Sequence, residues 1–216
     1  MKRDAASGIL LIAGSLMGML VMSLHPSARD LMTPEDFARQ ANLNVLVHGV
    51  ALAALPVLFL GLLGLSRRLG STDLTTAALV AYAFGGAALI SAAVASGFVA
   101  TPVMKQMLDA EAGSRAVYHA LLTYTGFVNQ GFAKVDVVAS SAAILLWSAA
   151  ILRSRRIPRA AGVAGAAVGG GILLAFLSGY LSLGVHGFGL ITFAQSGWLI
   201  WLGVLLCREG RASDLT

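Results

Sequence analysis

Four histidines, spread along the chain, are the side chains most able to do chemistry. Neutral imidazole is the commonest metal ligand in proteins, and it suits zinc, copper, iron and haem iron. Each of the four lies where a long apolar segment begins or ends. Because facing helices can bring such side chains to one ion, the sequence predicts a metal site whose ligands are His25, His48 and His186, completed by His119 or Asp136.

A carboxyl group within an apolar segment is the fifth candidate. Asp136 follows Lys134 by two residues, so on a helix the two side chains point to different faces and do not pair. Ionisable groups inside membrane segments are rare and are treated as functional candidates. We therefore expect Asp136 to be a metal ligand or a proton acceptor. The residues that could hydrogen-bond to these ligands and orient them are Glu35, Asp36, Asn44 and Tyr118.

The same histidines also have a structural interpretation, as residues that cap helix ends or meet lipid headgroups. None of them lies in an HxxxH or HxxH pattern that would place two ligands on one helix face. The chain also lacks the Walker A, dinucleotide-binding, GxSxG and HExxH motifs. No reaction is therefore indicated, and whether the chain is an enzyme stays open.

Three functional hypotheses follow from these residues. The first is a metal- or haem-binding membrane protein, with redox chemistry as one use of the site and haem, Zn, Cu and Fe as the candidate cofactors. The second is a small proton-coupled transporter or permease in which Asp136 and one histidine carry the coupling. The third is a non-catalytic subunit of a membrane assembly.

Composition indicates that these residues belong to a membrane protein. The chain has 216 residues, of which 57% are hydrophobic and only 12% are charged, whereas soluble domains carry about 25% charged residues. Its net charge of +5 comes from short basic clusters between apolar segments. We therefore expect one membrane domain in contact with the lipid bilayer, a homo-oligomer or a membrane partner as further candidates, and no nucleic-acid partner.

The apolar pattern predicts an all-α protein with about six transmembrane helices, each needing about 20 residues. The expected spans are 8–24, 45–65, 74–100, 131–152, 160–181 and 188–207, with short outer helices over 34–42 and 116–126. The fourth apolar segment is too long for one ordinary span, so we expect a break near Gly126–Gly131. A weak repeat around His48, His119 and His186 predicts three helical hairpins.

The basic residues predict the orientation. Alternate loops carry ten and four of the Lys and Arg residues, and cytoplasmic loops are the ones enriched in them. Both termini are then cytoplasmic in a bacterial-type inner membrane, and the four histidines lie at the periplasmic face. A signal peptide is the alternative for the first segment, but its apolar run is longer than usual, so we expect a retained helix.

Overall fold

The structure is a computed structural model that describes residues 2–26 and 34–212. Those residues form seven α-helices and one π-helical turn, with no strand among them. The helices are α1 (Lys2–Leu24), α2 (Pro34–Leu69), α3 (Asp73–Ala93), α4 (Ala100–Asp109), α5 (Ala112–Ser154), α6 (Arg159–Leu177) and α7 (Val185–Ala212), and the π turn is Val94–Val99.

Six helical segments are long and apolar enough to cross a membrane, which confirms the predicted all-α, multi-pass architecture. Five of them are single helices, whereas α3, the π turn and α4 together form the third, over Asp73–Asp109. The helices have two common ends. We call the end with the short α2–α3 and α5–α6 turns the basic end, because Arg67, Arg68, Arg155, Arg156 and Arg159 lie there, and the opposite one the histidine end.

The helices pack as two groups of three rather than as three consecutive hairpins. Helix α1 packs extensively on both α2 and α7, and α5 packs extensively on both α3 and α6. The predicted hairpin arrangement is not confirmed, because α6 and α7 share only a small contact. Helices α6 and α7, which residues 178–184 connect at the histidine end, therefore pack mainly on other helices: α6 on α5, and α7 on α1.

The core is concentrated towards the basic end. Trp147 is fully buried there, and its Nε1 donates to Ser66 Oγ at 2.9 Å, which links α5 to α2. Trp198 Nε1 donates to the Ala161 carbonyl at 2.9 Å, which links α7 to α6. Both indole N–H groups are satisfied, as buried tryptophans require, so aromatic packing and polar pairing act together at this end.

The fourth span corrects one sequence-based prediction. Helix α5 runs without a break for 43 residues, about 65 Å at 1.5 Å per residue. The residues of the predicted break are all helical. Gly126 and Gly131 face open space, with no atom within 4 Å of an added Cβ, and Asn129 and Gln130 line a cavity. Glycine weakens a helix only modestly, so it is tolerated there.

The predicted short helix over 34–42 is likewise the first part of α2 and not a separate element. Pro34 is the first helical residue, where its missing N–H costs no helical hydrogen bond. The long α2 extends past the end of α1, and this extension supplies one wall of the site described next.

Candidate functional site

A cavity of about 350 Å³ lies between the two groups of helices at the histidine end. All the spans except α6 contribute to its wall, as does the segment before α7. Most of its lining is apolar, and the side chains able to bind a ligand include those of His25, His48, Asn44, Gln130, Met22 and Met104. A mostly apolar cavity with a few polar groups is typical of sites for small ligands.

Two of the four histidines meet in this cavity. The ring centroids of His25 and His48 are 5.1 Å apart, with the planes 69° from each other in an edge-to-face arrangement. His25 directly follows α1, whereas His48 is buried in the wall of α2. The extensive α1–α2 packing therefore brings together side chains that are 23 positions apart in the sequence.

Both rings are oriented by backbone carbonyl groups. His48 Nδ1 lies 2.7 Å from the Asn44 carbonyl oxygen, and His25 Nδ1 lies 3.0 Å from that of Pro26. A carbonyl oxygen only accepts hydrogen bonds, so each Nδ1 carries the proton and donates it. In the neutral rings, the two Nε2 atoms then keep their lone pairs for a ligand.

The neutral form of His25 is favoured by its surroundings. Burial lowers the pKa of the His25 imidazole below its ordinary value, because desolvation disfavours the charged form. The hydrogen bond to the Pro26 carbonyl opposes this effect and is the smaller of the two. His25 is therefore held in the protonation state that ligates metals.

The π turn Val94–Val99 and Asn44 fix the position of His48. Asn44 Nδ2 donates to the Ser96 carbonyl in the π turn and to Thr101 Oγ1 in α4, both at 3.0 Å. Gly97, also in this turn, packs so closely that an added Cβ would lie 2.6 Å from His48 Cβ. Single π turns within α-helices are often found at functional sites. The turn itself was not predicted from the sequence.

The opposite wall of the cavity includes polar residues of α5 from the stretch where a helix break is predicted. Gln130 Nε2 donates to the Leu183 carbonyl at 3.1 Å, so this amide holds the segment before α7 against α5. Asn129 and Ala133 line the same wall. The polar stretch in α5 is therefore explained by a cavity that it faces and by a loop that it supports.

The other predicted ligands lie elsewhere. His119 and His186 are exposed and do not line the cavity. Asp136 is half-buried between α5 and α3, where an added Cβ at Gly85 would lie 3.1 Å from its Oδ1. Tyr118 is outside the cavity wall, and the side chains of Glu35 and Asp36 are not described.

Among the described residues, no group of three or more His, Cys, Asp or Glu side chains is arranged to hold a metal ion. The predicted metal site therefore stays a prediction. Among its candidate ligands, the structure brings together His25 and His48. Sequence analysis did not single out Met22 or Met104. The spacing of three residues between Met22 and His25 is a signal that would have found Met22, whereas no spacing points to Met104.

The chain matches no protein-family model, no curated protein and no solved structure. Its fold and site define a multi-pass helical membrane protein with a histidine pair in a cavity near one end of the bundle. The function is accordingly argued from the chemistry of that cavity.

Proposed function

We propose that this protein binds a transition-metal ion through His25 and His48. We further propose that the histidine end faces the periplasm of a bacterial inner membrane, with both termini in the cytoplasm. The arginines of the α2–α3 and α5–α6 turns support this orientation, because cytoplasmic loops carry the excess of Lys and Arg. An ion would then reach the site from the periplasm.

The hydrogen bonding of the two rings is the observation that carries the proposal. Metal-ligating histidines almost always donate the other ring N–H to a carboxylate, a backbone carbonyl or water. His25 and His48 both do so, each to a carbonyl oxygen. This leaves the Nε2 atom of each ring as the ligating nitrogen.

The separation of the rings supports one shared ion. Two imidazoles bound to one tetrahedral ion at metal–nitrogen distances of about 2.0–2.1 Å have ring centroids about 5 Å apart. The observed centroid separation is 5.1 Å. Haem held by both histidines would need its macrocycle between two rings that already touch edge to face, so the pair favours an ion over haem.

Metal analysis of four single-site variants tests this proposal. Purified protein is loaded with Cu or Zn, desalted and measured for bound metal. We expect His25→Ala and His48→Ala to abolish stoichiometric binding, because each removes one of the two imidazole donors of the proposed site. His119→Ala and His186→Ala are matched controls, since both side chains are exposed outside the cavity, and we expect them to retain the metal.

Two results would contradict the proposal. Wild-type protein that takes up no metal would remove its basis. Equal loss of bound metal in all four variants would instead favour the larger site predicted from the sequence, which includes His119 and His186. A monodisperse elution profile for each variant ensures that loss of metal is not loss of fold.

A second candidate, a proton-coupled transporter, is favoured by Asp136. This carboxyl group lies within the fourth span and packs on Gly85 of the third, away from the histidine pair. Intramembrane carboxyl groups are typical of proton relays. Proton uptake into vesicles containing the protein, present in wild type and absent in Asp136→Asn, would support this candidate, and equal uptake in both would reject it.

A further inference from the structure

We propose that the ion is Cu(I), and that the thioethers of Met22 and Met104 complete its ligand set beside His25 and His48. This inference rests on the metal-binding function proposed above and adds the identity of the ion. It is carried by two features of the cavity wall, namely its methionines and the absence of acidic side chains among its described residues.

Both methionines line the same cavity as the histidine pair. Met22 lies in the last turn of α1, three residues before His25. Met104 lies in α4, three residues after Thr101, whose hydroxyl accepts a hydrogen bond from Asn44. Thioether sulfur is a soft ligand that selects Cu(I), and imidazole also suits copper.

The charge of the wall points to a monovalent ion. None of the described residues that line the cavity is acidic, and none is a cysteine. Imidazole, thioether and amide ligands are all neutral, so the charge of a bound ion would not be cancelled. Burying an uncompensated charge is costly, and the electrostatic cost rises steeply from a single to a double charge. This ligand set therefore favours Cu(I) over Zn(II) or Fe(II).

A competition experiment with full-length protein in detergent micelles tests the inference. Under reducing conditions, Cu(I) is partitioned between the protein and a coloured Cu(I) chelator, and Zn(II) is measured separately with a Zn(II) indicator. We expect the double variant Met22→Leu/Met104→Leu to raise the Cu(I) dissociation constant at least tenfold and to change that of Zn(II) less than twofold. Met19→Leu/Met107→Leu is the matched control, because these methionines lie one turn away on the same helices and outside the cavity wall. We expect its Cu(I) affinity to equal that of wild type.

X-ray absorption of the Cu(I)-loaded protein gives a second measurement that does not depend on affinity. We expect nitrogen and sulfur neighbours around copper in wild type, and loss of the sulfur contribution in the Met22→Leu/Met104→Leu variant. An all-nitrogen and oxygen environment in wild type, or an unchanged Cu(I) affinity in that variant, would overturn the assignment of Cu(I) and its thioethers. Binding of Zn(II) with loss in His25→Ala would leave the histidine site standing, whereas the absence of any bound metal would overturn both proposals.

Discussion

The two ends of the bundle differ in how closely their helices approach. At the basic end, α1 and α7 touch through small residues, and an added Cβ at Gly203 would lie 2.7 Å from the Gly8 carbonyl oxygen. At the histidine end, Gly113, Gly126 and Gly184 have no atom within 4 Å of an added Cβ. Small residues allow close approach in membranes: at the basic end they bring two helix backbones together, whereas at the histidine end Gly97 makes room for the His48 side chain.

This difference separates stability from function. The basic end has the fully buried Trp147 and a continuous apolar core around it. The histidine end has a cavity of about 350 Å³ and three helical rods, α2, α3–α4 and α5, that extend past their shorter neighbours. A tightly packed end can hold the helices while the other keeps space for a ligand, so substitutions at the two ends should have different consequences.

The largest effect is expected for Trp147→Ala. Removing a fully buried tryptophan leaves a void and strips Ser66 Oγ of its donor, and such large-to-small changes cost about 3–5 kcal/mol. The free energy of unfolding, measured in detergent with a chemical denaturant, should fall by this amount. The control is Trp201→Ala, whose side chain is exposed. Equal losses in the two variants would show that the burial of Trp147 does not stabilise this end of the bundle.

A smaller loss is expected for Gly203→Val at the contact between α1 and α7. The added side chain collides with the Gly8 backbone, and overpacking costs typically about 1–3 kcal/mol. Gly197→Val on the same helix is the control, because no atom lies within 4 Å of its added Cβ. Thermal unfolding of the two variants should show a lower midpoint for Gly203→Val alone. An unchanged midpoint would mean that the two helices are not in close contact.

At the histidine end, Asn44→Ala should affect ligand binding more than stability. Asn44 joins α2 to the π turn and α4 through two hydrogen bonds, and loss of a residue that supports a metal ligand typically weakens binding by about 10–100-fold. The measurement is the metal dissociation constant together with the midpoint of thermal unfolding. Asn42→Ala, at an exposed position of the same helix, should change neither. Unaltered metal affinity in Asn44→Ala would show that the π turn does not position His48.

The smallest effect is expected where α5 faces open space. Alanine replaces glycine in a helix interior with a gain of about 0.5–1 kcal/mol per site, provided that nothing obstructs its Cβ. Gly126→Ala/Gly131→Ala should therefore raise the unfolding midpoint slightly and leave metal binding intact. A decrease in the midpoint would indicate that the helix is broken there after all.

Long apolar segments made the six spans predictable, since their length and composition are local properties. The packing partners were not, because the weak repeat around the histidines indicated an α6–α7 hairpin that the contacts of α7 with α1 outweigh. The pairing of His25 with His48 depends on how α1 meets α2, which spacing alone does not reveal. Gly126, Asn129 and Gln130 were misread for a related reason: a sequence does not show whether a polar residue breaks a helix or faces a cavity.

The packing of α1 between α2 and α7 has a consequence for biosynthesis. Of the described helices, α1 is synthesised first and α7 last, yet α7 is one of the two main packing partners of α1. During synthesis, the face of α1 that packs on α7 therefore stays in contact with lipid until five further spans have been made. The cavity wall includes Val185 and Phe188 of α7, so a nascent chain cut short before α7 should lack a finished binding site.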